Sequence, residues 1–429
     1  MIGIQFRKSV ARYLALRWLG PRWPALYTSF VSPVALRELP EPALPSPQWV
    51  RIRPLLTGIC GSDLAAICAK GSPYLSPLTS TPFVLGHEVV GTVTEVGPEV
   101  DGIHVGQRVV IQPALGCEAR GIQDLCEACA VGRFALCRNV TRGTISPGIQ
   151  TGFCRDTGGG WSESLVAHAS QVYVVPASVE NEVAVLAEPL ACALHAVLRA
   201  GLHGGAKGAG EGSTIKPQGP PGRETVLVMG CGAIGLLTIV ALRAAGCSAR
   251  VVAVAKYPHQ QELARQLGAD QVLPHERAVD RRFALLAEAL GAELHRPEMG
   301  KPTVIGGARV TFDCVASSMT IDECIRFTAA GGTMVLVGMP SIPSGVDWTT
   351  IWYKELLVQG AYAYGREAYA GRQRTTFDLA LDLLVEHGAS LRGLVGAPFV
   401  LRDYRQALRT ALHAGATGSV KTVFRIDPG

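Results

Sequence analysis

Short valine-rich runs set the pattern of the first half of the chain. From 83 to 112, FVLGHEVVGTVTEVG and then GQRVVIQP alternate apolar side chains with glycine-bearing turns. A period of two broken by turns predicts short strands of a small irregular barrel. Residues 31–56 carry prolines at 33, 40, 42, 45, 47 and 54, so they read as short strands punctuated by breakers. VRIRPLLTGIC is a further strand, and DLAAICAK after it reads as a helix that Ser62 or Asp63 could cap. Residues 139–187 continue the β-rich pattern through Gly158-Gly159-Gly160. A helix then opens at Ala187-Glu188-Pro189, because proline suits the first helical position and a carboxylate suits the positive end of the helix dipole.

The second half alternates differently. TVLVM has strand length and full apolarity, and a long apolar helix follows it. RVVAVAK, QVLP, RVTFDCV and GGTMVLVGMP are further strands, separated by HQQELARQLGA, a helix over 280–291 and the helix MTIDECIRFTA. This strand–helix alternation predicts an α/β fold with a doubly wound parallel sheet. Two segments interrupt it: 203–223, rich in glycine and proline, and a polar stretch over 292–307. Residues 349–429 return to strand, helix and strand, ending KTVFRID.

At 429 residues the chain has the length of two or three domains, and 48% hydrophobic residues exclude a disordered one. The net charge of +5 is spread without a long basic block, which speaks against nucleic acid as a partner. No apolar run reaches the ~18 residues that span a membrane. The first 30 residues look partly helical; Arg7, Lys8, Arg12 and Arg17 interrupt them, so no clean apolar region of a signal peptide precedes a cleavage site. They are expected to pack on the domain, with a basic amphipathic helix against a membrane surface as the alternative.

Four of the twelve cysteines crowd together: Cys117, Cys126, Cys129 and Cys137. That clustering points to a closed tetrahedral zinc site in a reducing, cytoplasmic setting, with an iron–sulfur cluster as the alternative. Cys60, Ser62 and Asp63 place a thiolate, a hydroxyl and a carboxylate within four residues, and His87-Glu88 adds an imidazole and a second carboxylate. Thiolate and imidazole are zinc ligands, and a carboxylate can orient a ligating imidazole. The plainer alternatives are a buried cysteine at a helix start, a surface His-Glu pair, and a helix-start carboxylate at Glu188.

Gly230-x-Gly232-x-x-Gly235 lies between the strand TVLVM and a helix, the context in which this fingerprint binds a dinucleotide. A carboxylate that would accept the ribose 2′-hydroxyl of NAD is expected about 20 residues on. None lies between Gly235 and Glu262; Lys256 stands there instead. Lys256 could meet the 2′-phosphate of NADP, or it is a solvated lysine at a strand end.

Gly86-His87-Glu88-x₂-Gly91-x₅-Gly97-x₂-Val100 resembles the zinc signature of the medium-chain dehydrogenase/reductase superfamily, and GICGSD, the cysteine lobe, EPLA, GCGAIG and GGTMVLVG fall in that superfamily's order. The resemblance runs from about residue 48 and is nearest to zinc-dependent alcohol, threonine and sorbitol-type dehydrogenases. It implies a GroES-like catalytic domain over 1–190, completed by 355–429, and a Rossmann domain over 191–354. It implies a catalytic zinc held by Cys60 and His87, with Glu88 and Glu188 as ligand or neighbouring carboxylate. Ser62 would take the substrate proton, and Asp63 would orient His87. Cys117, Cys126, Cys129 and Cys137 would hold a structural zinc. Gly230, Gly232, Gly235, Lys256 and Gly338 would bind NAD(P), with NADP favoured. The implied partners are a small alcohol, aldehyde or ketone and further copies of the chain, as a dimer or tetramer. Alternatives are a zinc-free quinone or enoyl reductase of the same superfamily and a non-catalytic nucleotide-binding regulator.

Three departures from the family pattern stand out. Eight residues, where two are usual, separate Cys117 from Cys126. Leu64-Ala65-Ala66 occupy the place of a frequent proton-relay histidine. The N-terminal 30 residues and the two insertions exceed the usual plan. Trp49, Trp161, Trp348 and Tyr353 could line a pocket, with core packing the expected fate of each.

Overall fold

The computed structural model describes residues 1–202 and 224–426, so the glycine- and proline-rich segment 203–223 lies outside the described residues. The chain divides into two compact units. One comprises Met1–Glu188, Ala363–Arg366 and Thr375–Gly429; the other comprises Pro189–Tyr362 and Glu367–Arg374.

The first unit is built on Trp49–Gly58, which pairs antiparallel with Val89–Val96, with Val423–Arg425 and with Leu165–His168. Arg108–Ile111 and Val172–Val174 extend the sheet on one side and Phe399–Val400 on the other. Alternate positions point inward: Val50 and Ile52, Val89 and Val93, Val109 and Ile111, and Leu165 and Ala167 form one buried cluster. The register shifts between Pro54 and Leu56, where proline has no N–H to give the ladder. A second sheet differs from expectation. Ile2–Phe6, in the stretch expected to be partly helical, is a strand between Val34–Glu38 and Phe83–Val84. Its five residues have a buried centre, and long-range pairing rather than a local turn recruits them. The helix expected near the N-terminus follows at Val10–Leu19.

The second unit is a six-stranded parallel sheet. Its order is Gln271–Pro274, Arg250–Ala255, Thr225–Met229, Ala308–Asp313, Thr328–Leu336 and Leu357–Gly360. The order reverses on either side of Thr225–Met229, as in doubly wound dinucleotide-binding sheets. Leu227, Met229, Val252, Phe283, Ile321 and Phe327 belong to one buried cluster of this unit. The polar stretch 292–307 contains an antiparallel hairpin, Glu293–His295 with Thr303–Ile305.

Trp49 and Trp161 are buried in the first unit, whereas Trp348 and Tyr353 are exposed rather than packed in a core. One helical stretch, Asn181–Arg199, is apolar and long enough to cross a membrane, with a mean hydropathy of 1.3. It is 83% buried within the protein, the position of a core helix.

Candidate functional site

The helix Gly61–Ile67 starts at Cys60, and its start is where the chemistry gathers. Asp63 serves two neighbours. Its Oδ2 accepts from the Cys60 backbone N–H at 2.9 Å, closing the first turn. Its Oδ1 lies 3.4 Å from His87 Nδ1, and both groups are buried. Gly86 precedes His87 with φ +94, and a Cβ there would meet the Trp161 ring at 2.3 Å. A glycine is therefore required for the chain to turn His87 inward. The other ring nitrogen, Nε2, lies 3.4 Å from Ser62 Oγ, and the Cys60 side chain is within hydrogen-bonding reach of the ring. Burial pushes the His87 pKa down, but the charges of Asp63 and then Cys60 outweigh it and hold it well above the ordinary value.

Glu88 points elsewhere. Both of its oxygens accept from Lys421 Nζ, at 2.6 and 2.7 Å. Gly58 makes room for this carboxylate, since a Cβ at residue 58 would sit 1.8 Å from Glu88 Oε2. Burial works against the Lys421 ammonium, but Glu88, Cys60 and Glu188 around it raise its pKa above the usual lysine value. The structure thus gathers Cys60, Ser62, Asp63 and His87 in one group, and Cys60, Glu88 and Glu188 around Lys421. Thiolate, imidazole and carboxylate, with the far imidazole nitrogen facing Asp63, form a donor set that could hold zinc.

The four lobe cysteines lie closer still. All four Sγ atoms are within 4.8 Å of one another, the one His, Cys, Asp or Glu group with such spacing among the described residues. N–H groups surround the sulfurs as a thiolate cage needs. Cys126 N–H and Asn139 Nδ2 donate to Cys117 Sγ, Arg138 N–H to Cys126 Sγ, and Asn139 N–H to Cys137 Sγ, at 3.3–3.4 Å. The Cys129 thiol holds Cys137 down to about 5, while Cys129 itself is pushed up by Cys137 and by burial. Burial raises Cys117. At Cys126 burial is outweighed, first by the Arg138 N–H, and its pKa is lowered.

The longer Cys117–Cys126 loop has its own support. Its first turn, Glu118–Arg120, ends in left-handed Gly121. The fully buried Arg120 guanidinium donates to the carbonyls of Leu115, Arg142, Ile145, Ser146 and Gly148. Five carbonyls satisfied by one planar cation tie both ends of the lobe to its centre.

In the second unit the fingerprint glycines have separate physical reasons. Gly230 has φ +93, and a Cβ on Gly235 would lie 1.8 Å from the Gly230 carbonyl oxygen. A Cβ on Gly232 would meet nothing within 4 Å, so the space before the Ala233–Ala244 helix is open, as a pyrophosphate requires. Gly338 donates its N–H to the Asp313 carbonyl at 2.9 Å, beyond the end of Thr328–Leu336. Lys256 is exposed just past Arg250–Ala255, with its ammonium 5.2 Å from the Tyr257 ring centre.

Residues 46–177 match the alcohol dehydrogenase GroES-like domain, and residues 233–386 match the zinc-binding dehydrogenase domain. L-threonine 3-dehydrogenase of Streptomyces avermitilis is 30% identical over 386 residues, 90% of this chain and 94% of the relative. The chain belongs to the zinc-binding dehydrogenases of the medium-chain superfamily. L-idonate 5-dehydrogenase of Vitis vinifera is 28% identical over 388 residues, covering 89% of this chain and 90% of the relative. The crystal structure of 2R,3R-butanediol dehydrogenase from Bacillus subtilis superposes with a TM-score of 0.67 at 26% identity, over 92% of this chain and 96% of that one. This dehydrogenase is therefore a zinc-dependent oxidoreductase acting on CH–OH groups. Sequence reasoning missed Lys421 and Arg120. A lysine inside the apolar closing run SVKTVF was the available signal for Lys421; Arg120 offered none.

Proposed function

We propose that this dehydrogenase moves a hydride between a secondary alcohol bearing a neighbouring polar group and a nicotinamide cofactor, NADP in preference to NAD. The convergence of Cys60, Ser62, Asp63 and His87 carries the reading. Cys60, His87 and Glu188 would hold the catalytic zinc, and Cys117, Cys126, Cys129 and Cys137 the structural one. Bound zinc supplies a Lewis acid for the substrate oxygen. Ser62 Oγ, beside His87, would take the substrate hydroxyl proton while passing its own hydroxyl proton on to water, since Ser62 is only partly buried. Asp63 holds the His87 ring so that its Nε2 side faces Ser62. Lys421 neutralises Glu88 and keeps that carboxylate from competing for the substrate's place. Glycines 230, 232 and 235 bring the pyrophosphate against the helix start, and Gly338 sits beyond the end of Thr328–Leu336, two strands along the same sheet.

The substrate class rests on the relatives. L-idonate, L-threonine and 2R,3R-butanediol are all secondary alcohols with a second polar substituent. A panel of secondary polyols, threonine and simple primary alcohols, run with both cofactors, tests the class. Turnover is expected to be highest on the first two groups. A preference for primary alcohols would overturn the assignment. For the cofactor, Lys256→Ala is expected to weaken NADPH binding about tenfold and leave NADH nearly unchanged, the size of one exposed charge contact to phosphate. Tighter NADH than NADPH binding in the parent enzyme would remove the preference.

We also infer a homo-oligomer. Leu357–Gly360 is an edge strand of the parallel sheet, and Ile342, Trp348 and Trp352 are exposed in the segment before it. Open edges and clustered apolar side chains are what a second copy covers. Sedimentation equilibrium should show at least a dimer, and Trp352→Glu should shift it toward monomer. A parent enzyme that sediments as a monomer at assay concentration would disprove this.

A further inference from the structure

The helix Val10–Leu19 has two faces, and only one is used by the fold. Leu16 is buried, and Tyr13 packs with it against Tyr27, Cys68 and Ala69. At ~100° per residue, Ala11, Leu14, Ala15 and Trp18 fall on the opposite side, with Val10 at its margin. Trp18 is 69% exposed and Leu14 49%. Two further aromatic side chains of the segment after the helix are exposed: Trp23 at 59% and Phe30 at 85%. Trp23 N–H bonds the Leu19 carbonyl, and Arg12 Nη1 bonds the Ser32 carbonyl at 3.2 Å. The first bond holds Trp23 at the helix end, and the second ties Ser32, two residues past Phe30, to Arg12. Solvent-exposed tryptophans at this density need a partner, since each leaves a large apolar ring in water.

Charge narrows the choice of partner. Arg7, Lys8, Arg12, Arg17 and Arg22 lie in the same segment, and the first carboxylate of the chain is Glu38. Arg12 and Arg17 fall on either flank of the apolar stripe. Each gives a guanidinium nitrogen to a backbone carbonyl, Ser32 for Arg12 and Ala69 for Arg17. Among the described residues none of these five cations forms an ion pair with a carboxylate. A second copy docked symmetrically on this face would set five cations against five cations. An anionic bilayer surface satisfies both features at once: tryptophan and leucine enter the headgroup boundary, and flanking arginines stay with the phosphates.

We propose that the Val10–Leu19 helix, with Trp23 and Phe30, docks this dehydrogenase peripherally on an anionic phospholipid surface. The full-length enzyme is sedimented with phosphatidylcholine vesicles, with and without phosphatidylglycerol. Including the anionic lipid is expected to raise the bound fraction at least about tenfold, because basic residues close to such a surface are attracted to it. High salt should reverse much of that gain. Trp18→Ser and Leu14→Ser, each on the exposed face, should each weaken binding about tenfold. Their thermal melts and dehydrogenase turnover in solution should stay at the parent values. Trp18 fluorescence, read as the difference between parent and Trp18→Ser, should shift to the blue on anionic vesicles. Three results overturn the proposal: no binding of the parent enzyme to anionic vesicles, binding by both serine variants as tight as the parent's, or loss of self-association in Trp18→Ser without any vesicle binding. The last would assign the face to a second copy.

Discussion

Lys421→Met is expected to destabilise the enzyme by about 3–5 kcal/mol, the cost of leaving a buried charge without its partner. Glu88 is 1% exposed and Lys421 5%, so water cannot replace the lost contact. The carboxylate occupies the space a Cβ at Gly58 would take, 1.8 Å from Glu88 Oε2. Cys60 and Glu188 are also in the electrostatic reach of Lys421, so its removal leaves three acidic groups close together. Adding Glu88→Gln should restore most of the loss, since the second change removes the stranded charge. Urea unfolding of the parent, both single variants and the double variant forms the cycle that measures this. Strictly additive effects would show that the pair is a bystander. Loss below about 1 kcal/mol for Lys421→Met would place the pair with solvent-screened surface bridges.

His87→Ala is the second large effect. Zinc content should fall by one equivalent per chain while the four-cysteine ion stays, because the two sets share no residue. The efficiency kcat/KM should fall by roughly three orders of magnitude or more, as expected when several kcal/mol of charge stabilisation on the substrate oxygen is lost. Asp63→Asn probes the same ring through its partner. It keeps the Cys60 N–H contact sterically but weakens the hold on His87 Nδ1. Its zinc affinity should drop by about 10–100-fold, the usual size for a group that orients a ligand. Metal analysis after dialysis measures both variants. Unchanged zinc in His87→Ala would remove His87 from the metal site and with it the proposed chemistry.

Local physics explains why much of this was legible. The three glycines of GCGAIG act within six residues, on one turn and one helix start, so strand–turn–helix context sufficed to recognise them. The thiols of the lobe lie within 21 residues, and soft ligands at that spacing speak for themselves whatever surrounds them. The doubly wound sheet followed from apolar runs of strand length separated by helical periods. Other features depend on which surfaces meet. Ile2–Phe6 is a strand because Val34–Glu38 and Phe83–Val84 lie on either side of it, and five residues without a turn signal do not announce that. The Trp348 and Tyr353 side chains are exposed although aromatic rings usually bury, since burial belongs to the assembled surface and not to the ring.

Residue types and their local spacing are thus determined by the sequence itself: thiols, one imidazole, carboxylates, a glycine-bearing turn before a helix and a basic, apolar N-terminal segment. Their partners are decided by the tertiary structure. Glu88 and Lys421 are 333 residues apart and meet because Val423–Arg425 pairs with Trp49–Gly58. The adjacent His87 and Glu88 are sent to different partners, His87 toward Cys60, Ser62 and Asp63, and Glu88 toward Lys421. The reason is electrostatic: a charge withdrawn from water must find its opposite within a few ångströms, and only the folded chain brings the two together.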